Sequence, residues 1–379
     1  MDFAFSEEQD EFRSVLRRFF EEHSDLRAVR RAFGSADGFD RGLWRQMAHE
    51  LGLQGIHLPE ALGGHGFGFL ELGIVMEEMG RALVPGPFLA SSVLAAGAIR
   101  SAGSAEDHAC LLPGVASGER IGALALVEAS GSWDPAAVAA EATPGADEVR
   151  LSGRKEAVLS GDVADFFVVV ARTPGSAGAD GIVAVVVEAD APGVTVEAQE
   201  ALDLTRRQAR VSFQQAPGRR LGPALPAGSA ADGIRGALQQ GAVAVAAESI
   251  GGADAALGMA VAYSKLRVQF ARPIGSFQGL KHMAAEVLRD IELARAATYW
   301  SWWVAEDDAE ELAQAAPLAK AASSEAFVAA AAANLQIHGG IGFTWEHDAH
   351  LFYKRAKSDE LLLGDGTAQR ASLATALGF

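Results

Sequence analysis

Residues Tyr263 to Gln278 read Y-S-K-L-R-V-Q-F-A-R-P-I-G-S-F-Q, and residues Gln336 to Thr344 read Q-I-H-G-G-I-G-F-T. The first stretch sets a guanidinium, Arg267, ahead of an amide, Gln278. The second ends an alanine-rich run with Gly339, Gly340 and Gly342. Arginine grips phosphate oxygens through parallel hydrogen bonds, and glycine lets a phosphate or a ribityl-like chain approach the backbone. Together they suit a nucleotide pyrophosphate. Each also has a plain reading: a solvated cation at a helix end, a glycine C-cap, and His338 as a packing or capping residue. No G-x-G-x-x-G after a strand marks a dinucleotide site.

Working outward, the C-terminal side is helical and alanine-rich: Gly233 to Leu266, Phe277 to Glu306, Leu312 to Gln336, and a last helix from about Thr367. Helices this long with short connections predict a four-helix bundle. Upstream lie short β-branched or alternating runs separated by Gly, Pro and Asp: Ile121 to Glu128, Glu148 to Ser152, Phe166 to Ala171, Ile182 to Glu188 and Arg210 to Phe213. These predict an antiparallel barrel or sandwich. The N-terminal third reads as helices. Ser6 to Gln9 is a capping-box start, with further helices over Leu43 to Leu51, Leu70 to Arg81 and Phe88 to Ile99. A glycine-rich loop, Gly52 to Gly66, intervenes. The class is α+β multidomain: a helical domain over 1–118, a β domain over 119–227 and a helical bundle over 228–379. The Pro- and Gly-rich stretch Gln215 to Gly228 is the expected linker.

The 379 residues leave room for two or three packed domains. A net charge of −17 argues against nonspecific nucleic-acid binding and anionic membranes. No stretch of about 18 uninterrupted apolar residues predicts a membrane span, and the N-terminus lacks the pattern of a secretory signal, so a cytoplasmic enzyme is expected. The single cysteine, Cys110, excludes an intrachain disulfide framework and is expected as a small buried or half-buried side chain. His49, His57 and His65 lack metal-ligand geometry, and no metal is expected.

The two opening segments, in this order and this far apart, resemble the acyl-CoA dehydrogenase family of flavoproteins. Gln269, Phe270, Pro273, Ile274, Phe277 and Gln278 stand in family register, and Ala271 stands where the family more often has Gly. The L-G-L-x-G-I-x-x-P-E-x-x-G-G-x-G pattern from Leu51 to Gly66 is also shared, and the resemblance covers nearly the whole chain. It implies FAD, held largely by a neighbouring subunit. The implied cofactor-binding set is Arg267, Gln269, Phe270, Phe277, Gln278, Gln336, Gly339, Gly340, Thr367 and Gln369. It further implies an acyl-CoA substrate, an assembly of four like or related chains, and an electron-transfer flavoprotein as reoxidant. Tyr353 to Lys357 matches a family run read as structural.

The same resemblance shows departures. The family's base for α-proton removal is commonly a Glu in an E-G-T segment. Here Gly364-Asp365-Gly366-Thr367 puts Asp365 there, one methylene short and in a segment two residues shorter. A shift of about 1 Å costs on the order of 100-fold in rate, so Asp365 is read as a base or as an N-cap of the last helix. A second family location for the base falls near Gly241, which carries no carboxylate. Val127 to Asp134 replaces the T-E-P-x-A-G-S-D segment, and Ala157 to Ser160 replaces W-I-T-N, removing the wall beside the flavin ring. Three readings stay open: an acyl-CoA dehydrogenase catalysing α,β-desaturation, either as a homotetramer with a divergent but functional pocket or as a subunit lending its flavin residues to a related chain; a flavin-dependent monooxygenase on the same fold; and a non-catalytic structural subunit. Trp300, Trp302 and Trp303 are read as bundle packing, Arg206 and Arg207 as exposed charges, and Glu306 to Glu311 as a solvated turn.

Overall fold

In the computed structural model the protein is described over residues 5–145, 148–222, 229–307 and 309–379. The helices are α1 (Glu7–His23), α2 (Leu26–Phe33), α3 (Arg41–His49), α4 (Phe69–Arg81), α5 (Ala96–Ala102), α6 (Ala105–Ala116), α7 (Ser229–Leu266), α8 (Gln278–Asp307), α9 (Ala309–His338), α10 (Ala349–Leu361) and α11 (Gly366–Ala376). The strands are β1 (Gly122–Ala125), β2 (Glu141–Pro144), β3 (Val149–Leu159), β4 (Phe166–Arg172), β5 (Ile182–Glu188), β6 (Val194–Gln199), β7 (Gln208–Arg220) and the two-residue pair β8 (Val268–Gln269) and β9 (Arg272–Pro273). The expected helical, β-rich and helical order is present. Contacts divide the chain into two compact units that are discontinuous in sequence. One comprises the segment ending at Arg31, Phe69–Val84 and Ala242–Phe379; the other comprises Ala32–Gly68 and Pro85–Gly241.

The first unit is helical. Ser6 starts α1 as a capping box: its hydroxyl accepts the Gln9 N–H, and the Gln9 amide accepts the Ser6 N–H at 3.0 Å. Helices α4 and α7 cross in close contact because Gly80 and Gly251 lack side chains there. A Cβ on Gly251 would fall 1.8 Å from the Glu77 carbonyl oxygen. Helix α7 meets α9 at Gly252, where a Cβ would fall 2.4 Å from the Phe327 ring. Helices α8, α10 and α11 all pack on α9. Trp302 is fully buried against Gly73, as packing requires. The Glu77 carboxylate, 1% exposed, accepts from Arg13 and Arg295 at 2.6 Å each and from the Tyr299 hydroxyl at 3.0 Å. Arg355 is buried on Glu248.

Windows of α7 and α9 reach a mean hydropathy of 1.2, enough by length and composition for a membrane span, but 72% and 56% of those windows are buried inside the protein. They read as core helices. Most of the expected acidic turn is helical instead: α8 ends at Asp307 and α9 begins at Ala309, and Asp308 lies outside the described residues.

In the second unit, β2–β3–β7–β5–β4 close into a ring, β4 pairing back to β2, with β1 added on β4 and β6 on β7. Side chains such as Phe167, Val169, Val185, Val211 and Phe213 fill the interior. Two departures from the expected antiparallel pattern appear: β1 and β2 run parallel to β4. The direction of β1 is set beside β4, where the Ile121 N–H donates to Asp165 Oδ2 at 2.7 Å and the Asp165 N–H returns to the Ile121 carbonyl at 2.8 Å.

Strands β3 and β7 are longer than their apolar runs because bulges at Leu151/Gly153 and Lys155/Val158 interrupt the alternation. The expected linker therefore starts late: Gln215 to Arg220 belong to β7, and residues 223–228 lie outside the described set. The helix expected over Phe88 to Ile99 begins as a fully buried π-helical stretch, Leu89–Ala95, before α5.

Two single-residue expectations are corrected. Cys110 is exposed, because α6 turns Leu111, Leu112 and Val115 inward and leaves Cys110 on the outer face. Arg206 is buried, carried inward by the turn in which the Thr205 N–H and hydroxyl both donate to Asp203 Oδ1, at 2.9 and 2.5 Å.

Candidate functional site

The opening segments, remote in sequence, meet at one end of the helical unit. Tyr263, on the last turns of α7, stacks on His338, the last residue of α9, with ring centroids 4.2 Å apart and an interplanar angle of 29°. Arg267 follows one turn later, its N–H donating to the Tyr263 carbonyl at 2.9 Å. Gly339 leaves α9 with φ +64°, a conformation that favours glycine. A Cβ added to Gly339 or Gly340 would meet nothing within 4 Å, so both backbones are open to an approaching group. Gln336, in the last turn of α9, and Gln278, the first residue of α8, are exposed.

Between α7 and α8, the β8–β9 hairpin turns through Phe270 (φ +52°) and Ala271 (φ +60°). Both are strained for L residues. The turn is held from beneath: the Ile274 N–H donates to the Arg267 carbonyl at 2.8 Å, Phe270 meets Phe277 edge-on at 6.0 Å, and the Arg272 guanidinium lies 4.2 Å from the Phe277 ring centre. Phe270 itself is 87% exposed. Among the described residues no carboxylate pairs with Arg267. An exposed guanidinium, exposed amides and open glycine backbone fit the pyrophosphate and ribityl parts of a flavin dinucleotide.

Asp365, Thr367 and Gln369 lie at the start of α11. Asp365 is the N-cap, its Oδ1 accepting the Ala368 N–H at 2.9 Å. Thr367 is exposed. The Gln369 amide donates to the Leu363 carbonyl at 2.6 Å and so closes the turn before its own helix. Nearby, the buried Lys320 ammonium donates to Ser324 at 2.9 Å and to the Glu360 carbonyl at 3.4 Å, a feature that helical periodicity did not reveal.

In the β-rich unit, Glu128 organises its own loop. It accepts from the Lys155 ammonium and the Ala139 N–H at 2.7 Å and from the Ala140 N–H at 2.9 Å. Burial pushes the Lys155 ammonium down to about 8, with Glu128 opposing that shift. Val127 is buried, and the Ala157 N–H is bound to the Gln199 side chain at 3.0 Å.

Residues 6–119 match the acyl-CoA dehydrogenase N-terminal domain, 123–215 its middle domain and 232–378 its C-terminal domain. Acyl-CoA dehydrogenase IpdE2 of Mycobacterium tuberculosis is 35% identical over 357 residues, covering 94% of this chain and 93% of that protein. The chain belongs to the acyl-CoA dehydrogenase family.

Among solved structures, the Tcur3481-Tcur3483 steroid ACAD superposes with a TM-score of 0.87 at 33% identity, covering 98% of both chains. The ChsE4-ChsE5 complex of Mycobacterium tuberculosis contains a chain similar at TM-score 0.88 and 29% identity, covering 100% of this chain and 99% of that one. As an acyl-CoA dehydrogenase family member, the chain is an oxidoreductase of acyl-CoA thioesters. Its Arg267 and Gly339–Gly340 segments are assembled, while the Asp365 carboxylate is engaged as a helix cap.

Proposed function

We propose that this chain is the flavin-lending subunit of an acyl-CoA dehydrogenase built from two kinds of related chain, with FAD as the cofactor. Its three domains would be the consecutive stretches 1–118, 119–227 and 228–379. The observation that carries the reading is the Tyr263–His338 stack, which brings Arg267 and the glycine turn to one exposed end of the helical unit. There Arg267 would hold the pyrophosphate oxygens, Gln278 and Gln336 would offer amide hydrogen bonds, and Gly339 and Gly340 would allow close backbone approach. Exposed Leu266, Val268, Phe270, Ile341 and Phe343 supply apolar surface for a neighbouring chain.

When bound, FAD supplies the acceptor for the hydride leaving the β-carbon of the thioester. The α-proton needs a carboxylate within hydrogen-bond reach. In this reading the related chain provides it, because Asp365 caps α11 and position 241 is Gly. The names of the steroid ACAD and the ChsE4-ChsE5 complex support a mixed assembly and a bulky acyl group. An electron-transfer flavoprotein is the reoxidant this reading calls for.

The visible spectrum of the purified chain tests it. The expectation is colourless protein that becomes yellow only when co-expressed with a related chain carrying the family Glu, and that is bleached anaerobically by an acyl-CoA. Stoichiometric flavin on the chain alone would overturn the lending assignment in favour of a self-sufficient site. Substrate-dependent oxygen uptake by reduced flavin would favour a monooxygenase.

A further inference from the structure

We propose that Tyr263, His338 and His347 are positioning residues: a three-ring cluster, stacked at Tyr263–His338 and tilted at His338–His347, that sets the distance between Arg267 and the Gly339–Gly340 turn, and so sets flavin affinity. The inference rests on the reading that this end of the helical unit holds a flavin. Arg267 and the glycine turn belong to different helices, and no backbone hydrogen bond joins them among the described residues. The rings make the connection. Tyr263 lies 4.2 Å from His338, and His338 lies 4.4 Å from His347 at 51°.

Both imidazole rings are themselves fixed. His338, buried, donates from Nδ1 to the Asn334 carbonyl at 2.8 Å, one turn back on α9. That bond requires the proton on Nδ1, since a carbonyl only accepts. Asn334, fully buried, donates to Met259 Sδ at 3.4 Å, one turn before Tyr263 on α7, which makes a second rung between the helices. His347 Nδ1 accepts the Ala349 N–H at 3.1 Å and ties the outer ring to the start of α10. The stack therefore spans α7, α9 and the entry to α10, immediately before the backbone turns at Gly339.

Stacking uses the ring face rather than the phenol oxygen, since among the described residues nothing hydrogen-bonds the Tyr263 hydroxyl. Aromatic pairs of this kind hold a defined offset geometry that an aliphatic side chain of similar volume does not. Losing a hydrogen bond to a charged group weakens binding by roughly tenfold to 100-fold.

The test uses the flavin-carrying assembly, measuring the FAD Kd by flavin fluorescence and, separately, kcat and KM for an acyl-CoA. Tyr263→Phe keeps the stack and should stay within about twofold of the parent Kd. Tyr263→Leu and His338→Leu should raise the FAD Kd by about tenfold to 100-fold, with KM for acyl-CoA unchanged at saturating FAD. His347→Ala, on the half-buried outer ring, disturbs folding least and should raise the FAD Kd several-fold with an unaltered far-ultraviolet spectrum. Parent-like FAD Kd in both His347→Ala and Tyr263→Leu, while Arg267→Ala loses flavin, would overturn the stack and leave the lending reading intact. Unchanged flavin binding in Arg267→Ala would instead overturn the lending reading on which the stack depends.

Discussion

Asp365 Oδ1 accepts the N–H of Ala368 at 2.9 Å, so the carboxylate proposed from the resemblance as a base satisfies the first turn of α11. Capping and proton abstraction separate under substitution. Asn caps as well as Asp, whereas Ala removes the cap at a cost of about 1 kcal/mol. Asp365→Asn should leave both melting temperature and turnover of the mixed assembly unchanged, and Asp365→Ala should lower only the former. A collapse of turnover in Asp365→Asn, measured by anaerobic flavin bleaching, would make Asp365 the base after all.

The hairpin between α7 and α8 carries Ala271 at φ +60°, where the left-handed region costs an L residue roughly 1–2 kcal/mol. Ala271→Gly removes that cost and adds unfolded-state entropy, for a net gain of about 0.5–1 kcal/mol. Calorimetry should show a higher melting temperature. A fall would mean that the Ala271 methyl contributes packing that outweighs the strain.

On α7, two glycines predict opposite outcomes. Gly251→Ala drives a Cβ to 1.8 Å from the Glu77 carbonyl, forcing α4 and α7 apart, at a cost of about 1–3 kcal/mol or more. Gly258, exposed with nothing within 4 Å of an added Cβ, should gain about 0.5–1 kcal/mol as Ala. Urea melts of the two variants give the comparison directly, and equal effects would refute the close crossing.

Asp107 sets an acid limit on the β-rich unit. Burial raises its pKa, but the N–H groups of Ser104 and Gly222, the Arg219 guanidinium and the Ser104 hydroxyl outweigh that and hold it down at about 2. With the folded pKa depressed from 3.8, its stabilisation is complete above about 4 and is lost as pH falls through about 2. Asp107→Asn should be less stable than the parent at pH 7, and the gap should narrow between pH 4 and pH 2. A gap independent of pH in chemical melts would show that the charge on Asp107 is not what stabilises.

The long helices were legible because propensity and short connections act locally. Gly233 to Leu266, Phe277 to Glu306 and Leu312 to Gln336 each lie within a few residues of α7, α8 and α9. Ile182 to Glu188 coincides with β5, whose continuous apolar run is buried over six of its seven residues. Strands β2 and β6 are not legible as buried strands: β2 is four residues long and largely exposed, and β6, although Val194, Val196 and Ala198 alternate with polar residues, buries none of its side chains fully. The exposure of Cys110 and the burial of Arg206 escaped for a related reason: which face of a helix or turn points inward depends on what packs against it.

From its sequence alone this chain declared its family and its order of helical and β-rich segments, and offered Arg267, Gln336 and the Gly339–Gly340 turn as candidates, since residue type and spacing along the backbone carry that information. Tertiary structure alone decided that Tyr263 meets His338 and brings those groups together, and that Asp365 points into its own helix. Residue spacing registers what lies a few positions away, whereas contact between helices seventy-five positions apart is set by how glycines such as Gly251 and Gly252 let α7 lie against its neighbours.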